Sequence, residues 1–221
     1  MIIAIDGPAA SGKSTTARGV AHRLGIMYLN TGAMYRALTL GIMESGIDVD
    51  NINAVRCFIS GTVVEFDNNN QILLNGENVS AKVQSSSISD KVSAVSAVPE
   101  IRKAMVQVQR KIAGEKDCVL EGRDIGTVVF PRADFKFFLV ADVAIRAARR
   151  MKDLQALGES CSLDELIKVI LKRDKLDSTR TNSPLVQADD AISIDTTHLT
   201  IDETIEKIIS KIIKLKNEEK S

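Results

Sequence analysis

Two hydrophobic periods alternate along most of this chain. Short apolar runs, β-branched at Ile2, Ile3 and Ile5 of the first, lie at Ile2–Asp6, Met27–Leu29, Cys118–Glu121, Phe135–Val140 and Ala191–Asp195, and predict strands. Between them, apolar positions recur every three or four residues. That spacing predicts helices over Thr15–Leu24, Ala33–Ser45, Asn53–Ser60, Ile88–Val98, Glu100–Ala113, Val143–Leu157, Leu163–Asp177 and Ile201–Lys216. Two helix starts carry capping boxes, Ser162-Leu-Asp-Glu165 and Thr200-Ile-Asp-Glu203, and Pro99 suits the first turn of its helix. Strands separated by helices predict an α/β fold with a largely parallel sheet.

One segment breaks the alternation. Thr62–Phe66 and Gln71–Leu74 read as strands around an Asp67-Asn-Asn-Asn70 turn. Asn75-Gly76, a strong hairpin signal, then leads to a short third strand at Glu77–Val79. This predicts a small antiparallel sheet inserted into the α/β core.

The chain has 221 residues, 44% of them hydrophobic, enough for one domain with inserted subdomains. Its formal net charge is zero, which argues against a long polyanion such as nucleic acid as partner. Cys57, Cys118 and Cys161 are odd in number and far apart, without a C-x-x-C pair. They read as buried thiols in a reducing compartment. The N-terminal apolar run stops at Asp6 with no basic region before it, unlike a signal peptide, and no apolar run approaches the length of a membrane span. These features predict a cytoplasmic protein, by default a monomer. The basic C-terminal helix reads as amphipathic with a solvated lysine face.

The first strand runs straight into Gly7-Pro8-Ala9-Ala10-Ser11-Gly12-Lys13-Ser14, and a helix follows. Strand, loop and helix together mark a phosphate-binding loop for a nucleoside triphosphate with Mg²⁺. Gly7 to Thr15 would surround the phosphates of ATP, with backbone N–H groups and the helix N-terminus turned to the anion. Lys13 would reach the β/γ oxygens and Ser14 the metal.

Four further clusters carry chemistry. Asn30-Thr31-Gly-Ala-Met-Tyr-Arg36 follows the second strand; it reads either as a capped helix start or as a second phosphate site made by Thr31 and Arg36. Glu121-Gly-Arg-Asp-Ile-Gly-Thr127 follows a buried strand, where open α/β sheets bind ligands. Glu121 is placed to orient Mg²⁺ through water; an ordinary charged surface loop is the alternative. Arg146, Arg149 and Arg150 fall on one helix face, either solvated and offset by Asp142 and Asp153, or gathered on an anion. Arg173, Asp177 and Arg180 recur at helical spacing. An i,i+4 salt bridge accounts for the first two; with the preceding arginines they also suit a short helical lid over a triphosphate.

These motifs, in this order and over nearly the whole chain, resemble bacterial-type cytidylate kinases of the nucleoside monophosphate kinase group. The carriers are Asp6–Ser14, Thr31–Arg36, Gly122–Pro131, Arg149-Arg-Met151 and Arg173-Asp174 through Arg180. The resemblance implies a P-loop NTPase-type parallel sheet flanked by helices. It implies a core at about 1–30, 114–145 and 185–221, a monophosphate-binding region at about 31–113 with the β insert at about 61–80, and a lid at about 146–182. It implies phosphoryl transfer from ATP, with Mg²⁺, to CMP or dCMP. Thr31, Arg36, Arg123 and Arg180 would clamp the CMP phosphate. Ser93, Arg102 and Asp124 would read cytosine, and Asp177 would hold the ribose. Lys13, Arg146, Arg149, Arg150 and Arg173 would surround the transferring group. Read alone, Ser93 is a helix-surface serine and Arg102 a solvated or paired arginine. The chain departs from the family's usual residues at Asn30, where Asp is common, at Thr31, where Ser is common, and at Glu121, where Asp is also common.

Rival readings lack their own marks. A shikimate kinase would carry an Asp-x-Asp pair directly after the second strand, and a GTP-dependent switch an Asn-Lys-x-Asp motif; neither is present. A nucleotide-binding pseudo-enzyme is disfavoured by intact Lys13 and Ser14.

Overall fold

The computed structural model describes residues 1–156 and 158–218. In chain order the elements are β1 (Ile2–Asp6), α1 (Lys13–Leu24), β2 (Met27–Asn30), α2 (Thr31–Glu44), α3 (Ile52–Ser60), β3 (Val64–Phe66), β4 (Ile72–Leu74) and β5 (Glu77–Asn78). There follow α4 (Ser86–Ala97), α5 (Pro99–Ala113), β6 (Cys118–Gly122), β7 (Phe135–Val140), α6 (Val143–Ala156), α7 (Leu163–Thr179), β8 (Ile192–Asp195) and α8 (Ile201–Glu218). A 3₁₀ turn at Lys82–Gln84 and a π-helical turn at Ile125–Val129 complete the set. The predicted helix over Val143–Leu157 has its last residue outside the described ones.

The chain divides into two compact units, one made by Met1–Leu29 with the chain from Lys116 onward, the other by Asn30–Glu115. The larger unit holds a five-stranded sheet in the order β2-β6-β1-β7-β8. β1 lies between β6 and β7, parallel to both, and β7 pairs in parallel with β8. Ile3, Ile5, Val119, Phe137, Leu139 and Ile194 from the strands pack with Ala17, Val20 and Ala21 of α1 and Ile205, Ile208 and Ile212 of α8. Burying each large aliphatic side chain contributes about 1.5–3 kcal/mol before conformational entropy is counted. Gly19 lets α1 lie directly on α8: a Cβ there would sit 2.2 Å from Ile205 Cδ1. The C-terminal helix is amphipathic as expected, with only its Thr204, Ile205, Ile208 and Ile212 side buried.

In the smaller unit, α2 packs on α4 and on the β3-β4-β5 sheet, which is antiparallel throughout. Asn75 and Gly76 both have positive φ (52° and 82°), the conformation a tight hairpin turn requires. The insert therefore forms where expected, with each strand one or two residues shorter.

The expectation of three buried thiols fails. Of the three cysteines only Cys118 is buried; Cys57 is exposed and Cys161 intermediate. Cys57 lies on α3, which buries only Val55, so its apolar neighbours in sequence are not its neighbours in space. The π-helical turn after Asp124 was not foreseen, because Ile125-Gly-Thr-Val-Val129 is too short for a helical period and resembles a strand.

Candidate functional site

The loop between β1 and α1 is shaped by its backbone. Gly7 has φ +148°, and a Cβ there would meet the Leu139 carbonyl oxygen at 2.2 Å, so no other residue fits. Ala10 takes a left-handed conformation (φ 56°), which costs a non-glycine residue about 1–2 kcal/mol. Gly12 caps α1 with φ 90°, and no side chain caps its first turn, which also holds no acidic residue. Those N–H groups and the helix dipole together suit an anion. The helix starts at Lys13, two residues earlier than predicted, so Lys13, Ser14 and Thr15 are all in its first turn.

Lys13 is buried and donates to the Pro8 carbonyl at 2.6 Å and to Ser11 Oγ at 3.3 Å. Burial lowers its pKa to about 7, and Arg123 and Arg173 push the same way while Glu121 opposes them. A phosphate there would restore the charge.

β6 runs beside β1, so Glu121 lies opposite Ile5 and Gly122 opposite Asp6. This delivers Glu121 to the loop: Ser14 Oγ donates to Glu121 Oε1 at 2.8 Å, and Glu121 is buried. Two oxygen groups together suit a hard cation such as Mg²⁺. Among the described residues no three His, Cys, Asp or Glu side chains gather into a metal cage. The donor set therefore fits an ion held mainly by phosphates and water, the usual habit of Mg²⁺.

Beyond Gly122 the chain turns through Arg123 and a buried Asp124. Arg123 Nε donates to Asp177 Oδ2 at 2.9 Å. Asp177, on α7, also faces Arg173 Nε at 4.0 Å and Arg180 Nη1 at 3.8 Å. Burial alone would raise the Asp177 pKa, but the three arginines together hold it below the usual carboxylate value. The i,i+4 bridge anticipated from sequence is thus one edge of a larger cluster. Arg180 Nε is fixed by the Ser183 carbonyl at 2.6 Å.

The three arginines expected on one face of α6 part company. Arg146 is buried and donates to the carbonyls of Ala141 and Ala9 at 3.0 and 3.1 Å and to Asp174 Oδ2. Asp174 Oδ1 accepts from the Ala9 N–H at 3.2 Å, so α7, α6 and the loop meet at one point. Arg149 donates to Thr196 Oγ1 at 3.1 Å and to the Thr196 carbonyl at 2.6 Å. Arg150 is half-buried. Arg146 finds its counter-charge on Asp174 of α7, while Asp142 Oδ1 accepts the Ala144 N–H at the helix start. Ala147, Leu154, Leu166 and Ile170 pack α6 on α7.

In the smaller unit Asn30 Oδ1 accepts from Ala33 N at 2.9 Å and caps α2, so the helix begins at Thr31 rather than Ala33. Asn caps as well as Asp does, without the charge. Thr31 is buried in this first turn. Arg36, one turn on, donates to the Val83 carbonyl at 2.9 Å and to Ser89 Oγ at 3.0 Å. Ser93 is buried, not on the helix surface as read from sequence alone, and Arg102 is buried and paired, the second of the two readings it was given. Both touch Ser96, whose Oγ donates to the Ser93 carbonyl at 3.1 Å and whose carbonyl accepts from Arg102 at 2.9 Å. Arg102 lies 5.2 Å from the Tyr35 ring centre, a cation–π contact.

The larger unit thus gathers Lys13, Ser14, Glu121, Arg123, Arg173, Asp177 and Arg180, with Arg146 and Arg149 on the flanks of the loop. Asp6 and Asp174 stand in the motifs named from sequence but carry no role there, and Thr196 is not among them. Asp6 had a signal, a charge ending a buried strand; Thr196 had none.

A family model described as cytidylate kinase matches residues 3–214. The cytidylate kinase of Clostridioides difficile is 47% identical over 96% of this chain and 98% of its own length. That of Carboxydothermus hydrogenoformans is 44% identical over 99% of both. Among solved structures, a gluconokinase from Sinorhizobium meliloti has a TM-score of 0.50 at 13% identity, over 96% of this chain and 91% of that one. A shikimate kinase from Bacteroides thetaiotaomicron has a TM-score of 0.50 at 9% identity, over 96% and 98%. These two likenesses concern the fold.

Proposed function

The chain belongs to the cytidylate kinase family, and from that membership we propose that it transfers the γ-phosphoryl group of ATP to CMP or dCMP, giving ADP and CDP or dCDP. The observation that carries this reading is the cation cluster of the larger unit, in which Arg123, Arg173 and Arg180 converge on Asp177 while Lys13 and Ser14 line the phosphate loop. A monophosphate has its second pKa near 6, so its attacking oxygen is mostly ionised at neutral pH and needs no general base. What remains is to position two polyanions in line and neutralise their charge.

In this reading the Gly7–Thr15 loop holds the triphosphate. Ser14, with Glu121 through water, holds Mg²⁺, which screens the donor's phosphates. Thr31, Arg36, Arg123 and Arg180 bind the CMP phosphate, and Asp177 binds the ribose. Ser93, Arg102 and Asp124 read the base: a carboxylate suits the cytosine 4-amino donor and repels the uracil 4-oxygen. Residues at about 31–113 form the monophosphate-binding region. The helices at about 146–182 act as a lid carrying Arg146, Arg149, Arg150 and Arg173, and their closure excludes water. Zero net charge and unpaired thiols support a cytoplasmic enzyme that does not bind nucleic acid. No helix among the described residues is long and apolar enough to cross a membrane.

A coupled ADP-release assay with ATP and Mg²⁺ tests this against CMP, dCMP, UMP, AMP, GMP and shikimate. Turnover with CMP and dCMP well above the rest is expected, and its loss in Lys13→Ala and Arg180→Ala with the fold intact. Preference for another acceptor would overturn the cytosine assignment.

A further inference from the structure

Asp6 has no part in the chemistry above, yet it is placed with care. It ends β1 and is 5% exposed. Its two oxygens point across to the turn after β6: Oδ1 accepts the Ile125 N–H at 2.9 Å and Oδ2 accepts the Gly126 N–H at 2.8 Å. These amides directly follow Asp124. From the other side, the Asp124 carbonyl accepts the Val128 and Val129 N–H groups at 2.9 and 3.1 Å, closing the π-helical turn. The backbone of Asp124 is therefore gripped on both sides, one grip being the Asp6 carboxylate. A Cβ at Gly126 would come within 3.1 Å of Lys136 Cδ and 3.5 Å of Asp6 Oδ2, so the turn lies hard against the acid.

We propose that Asp6 is a positioning residue for the acceptor nucleotide: by holding the Ile125 and Gly126 amides it fixes Arg123 and Asp124 in the conformation that meets CMP. This rests on the reading of Arg123 and Asp124 as CMP contacts. A carboxylate is the one side chain of this size with two acceptors and no donor. Asparagine has the same shape but would turn an NH₂ toward one of the two amides, leaving a buried N–H without an acceptor. The charged groups acting on Asp6 are Asp124, which opposes its ionisation, and Lys13, which favours it. Burial raises its pKa to about 6, so the carboxylate is ionised at pH 8.

The test is Asp6→Asn in the full chain, with steady-state kinetics at pH 8 and a thermal melt to confirm folding. The KM for CMP is expected to rise about tenfold, the cost of one unsatisfied buried donor. The KM for ATP should change far less. In an Asp124→Asn background the same substitution should add clearly less than its full tenfold to the KM for CMP, because the part of its effect that runs through Asp124 is already lost. Asp6→Ala, which leaves room for water at both amides, should show the same split with a smaller rise, and it serves if the Asn variant does not fold. An equal rise in both KM values, or full additivity with Asp124→Asn, would overturn the proposal. An Asp124→Asn single variant with unchanged KM for CMP would instead overturn the base-reading role, whatever Asp6→Asn does.

Discussion

Asp177 carries the charge balance of the larger unit, and Asp177→Asn removes that charge while keeping the shape. Its carboxylate lies 2.9 Å from Arg123, 3.8 Å from Arg180 and 4.0 Å from Arg173. At an effective dielectric constant of about 20 the first pair alone is worth about 6 kcal/mol and each of the others about 4 kcal/mol. Desolvating four ionic groups cancels much of that sum. What survives is the cost of breaking a buried pair by deleting one partner, about 3–5 kcal/mol. The amide oxygen can still accept from Arg123, so a loss of about 3 kcal/mol is expected, a large share of a typical domain's stability. Urea unfolding followed by circular dichroism at pH 7.5 measures it, with exposed Asp153→Asn as a control expected to stay within about 0.5 kcal/mol. The pH arm has a fixed sign. The folded pKa of Asp177 lies below its ordinary 3.8, so its contribution is complete above that value and is lost as pH falls through the folded pKa. The gap between the two proteins should therefore be full at pH 7.5 and narrow in acid. A loss under about 1 kcal/mol, or a gap that does not narrow, would refute the claim that Asp177 holds the three guanidinium groups.

The depressed Lys13 pKa predicts proton uptake on nucleotide binding. With a free value of about 7, roughly nine-tenths of the lysines are neutral at pH 8, and ADP phosphates restore the charge. Calorimetry in buffers of different ionisation enthalpy should show nearly one proton taken up, affinity falling as pH rises above 7, and no such uptake in Lys13→Met; equal uptake in both proteins would refute it. Glu121→Gln should raise the Mg²⁺ concentration needed for half-maximal turnover several-fold and leave the KM for CMP unchanged. An unaltered Mg²⁺ dependence would remove Glu121 from the metal site.

The elements were legible because their signals are local. Apolar period, capping boxes at Ser162 and Thr200, and the Asn75-Gly76 turn each lie within a few residues, and each forms in place. Hydrogen bonds between Ser162 and Glu165 and between Thr200 and Glu203 close both boxes. The strand order β2-β6-β1-β7-β8 was not legible, and neither were the tertiary contacts that bring distant residues to the site. Arg146 and Arg149 share a helix face in sequence, but Asp174 and Thr196 that receive them arrive from α7 and from beyond β8. Asp6 meets partners 119 and 120 residues away only because β6 lies beside β1.

The pattern in those long-range partners has a functional consequence. Motif reading found the cations, and the fold supplies what holds each one: Asp177 for Arg123, Asp174 for Arg146, Thr196 for Arg149 and the Pro8 carbonyl for Lys13. A long basic side chain that is ordered only when substrate arrives costs about 0.5–1.5 kcal/mol of binding energy. Here that ordering is completed by folding, so the cost falls on stability instead. Groups fixed in advance around a transferring phosphoryl need little reorganisation as charge moves, and this is where electrostatic catalysis gains most. On the proposed reading, substitutions at Asp174 and Asp177 should lower turnover and stability together, through the arginines these acids orient and, at Asp177, through the ribose contact as well.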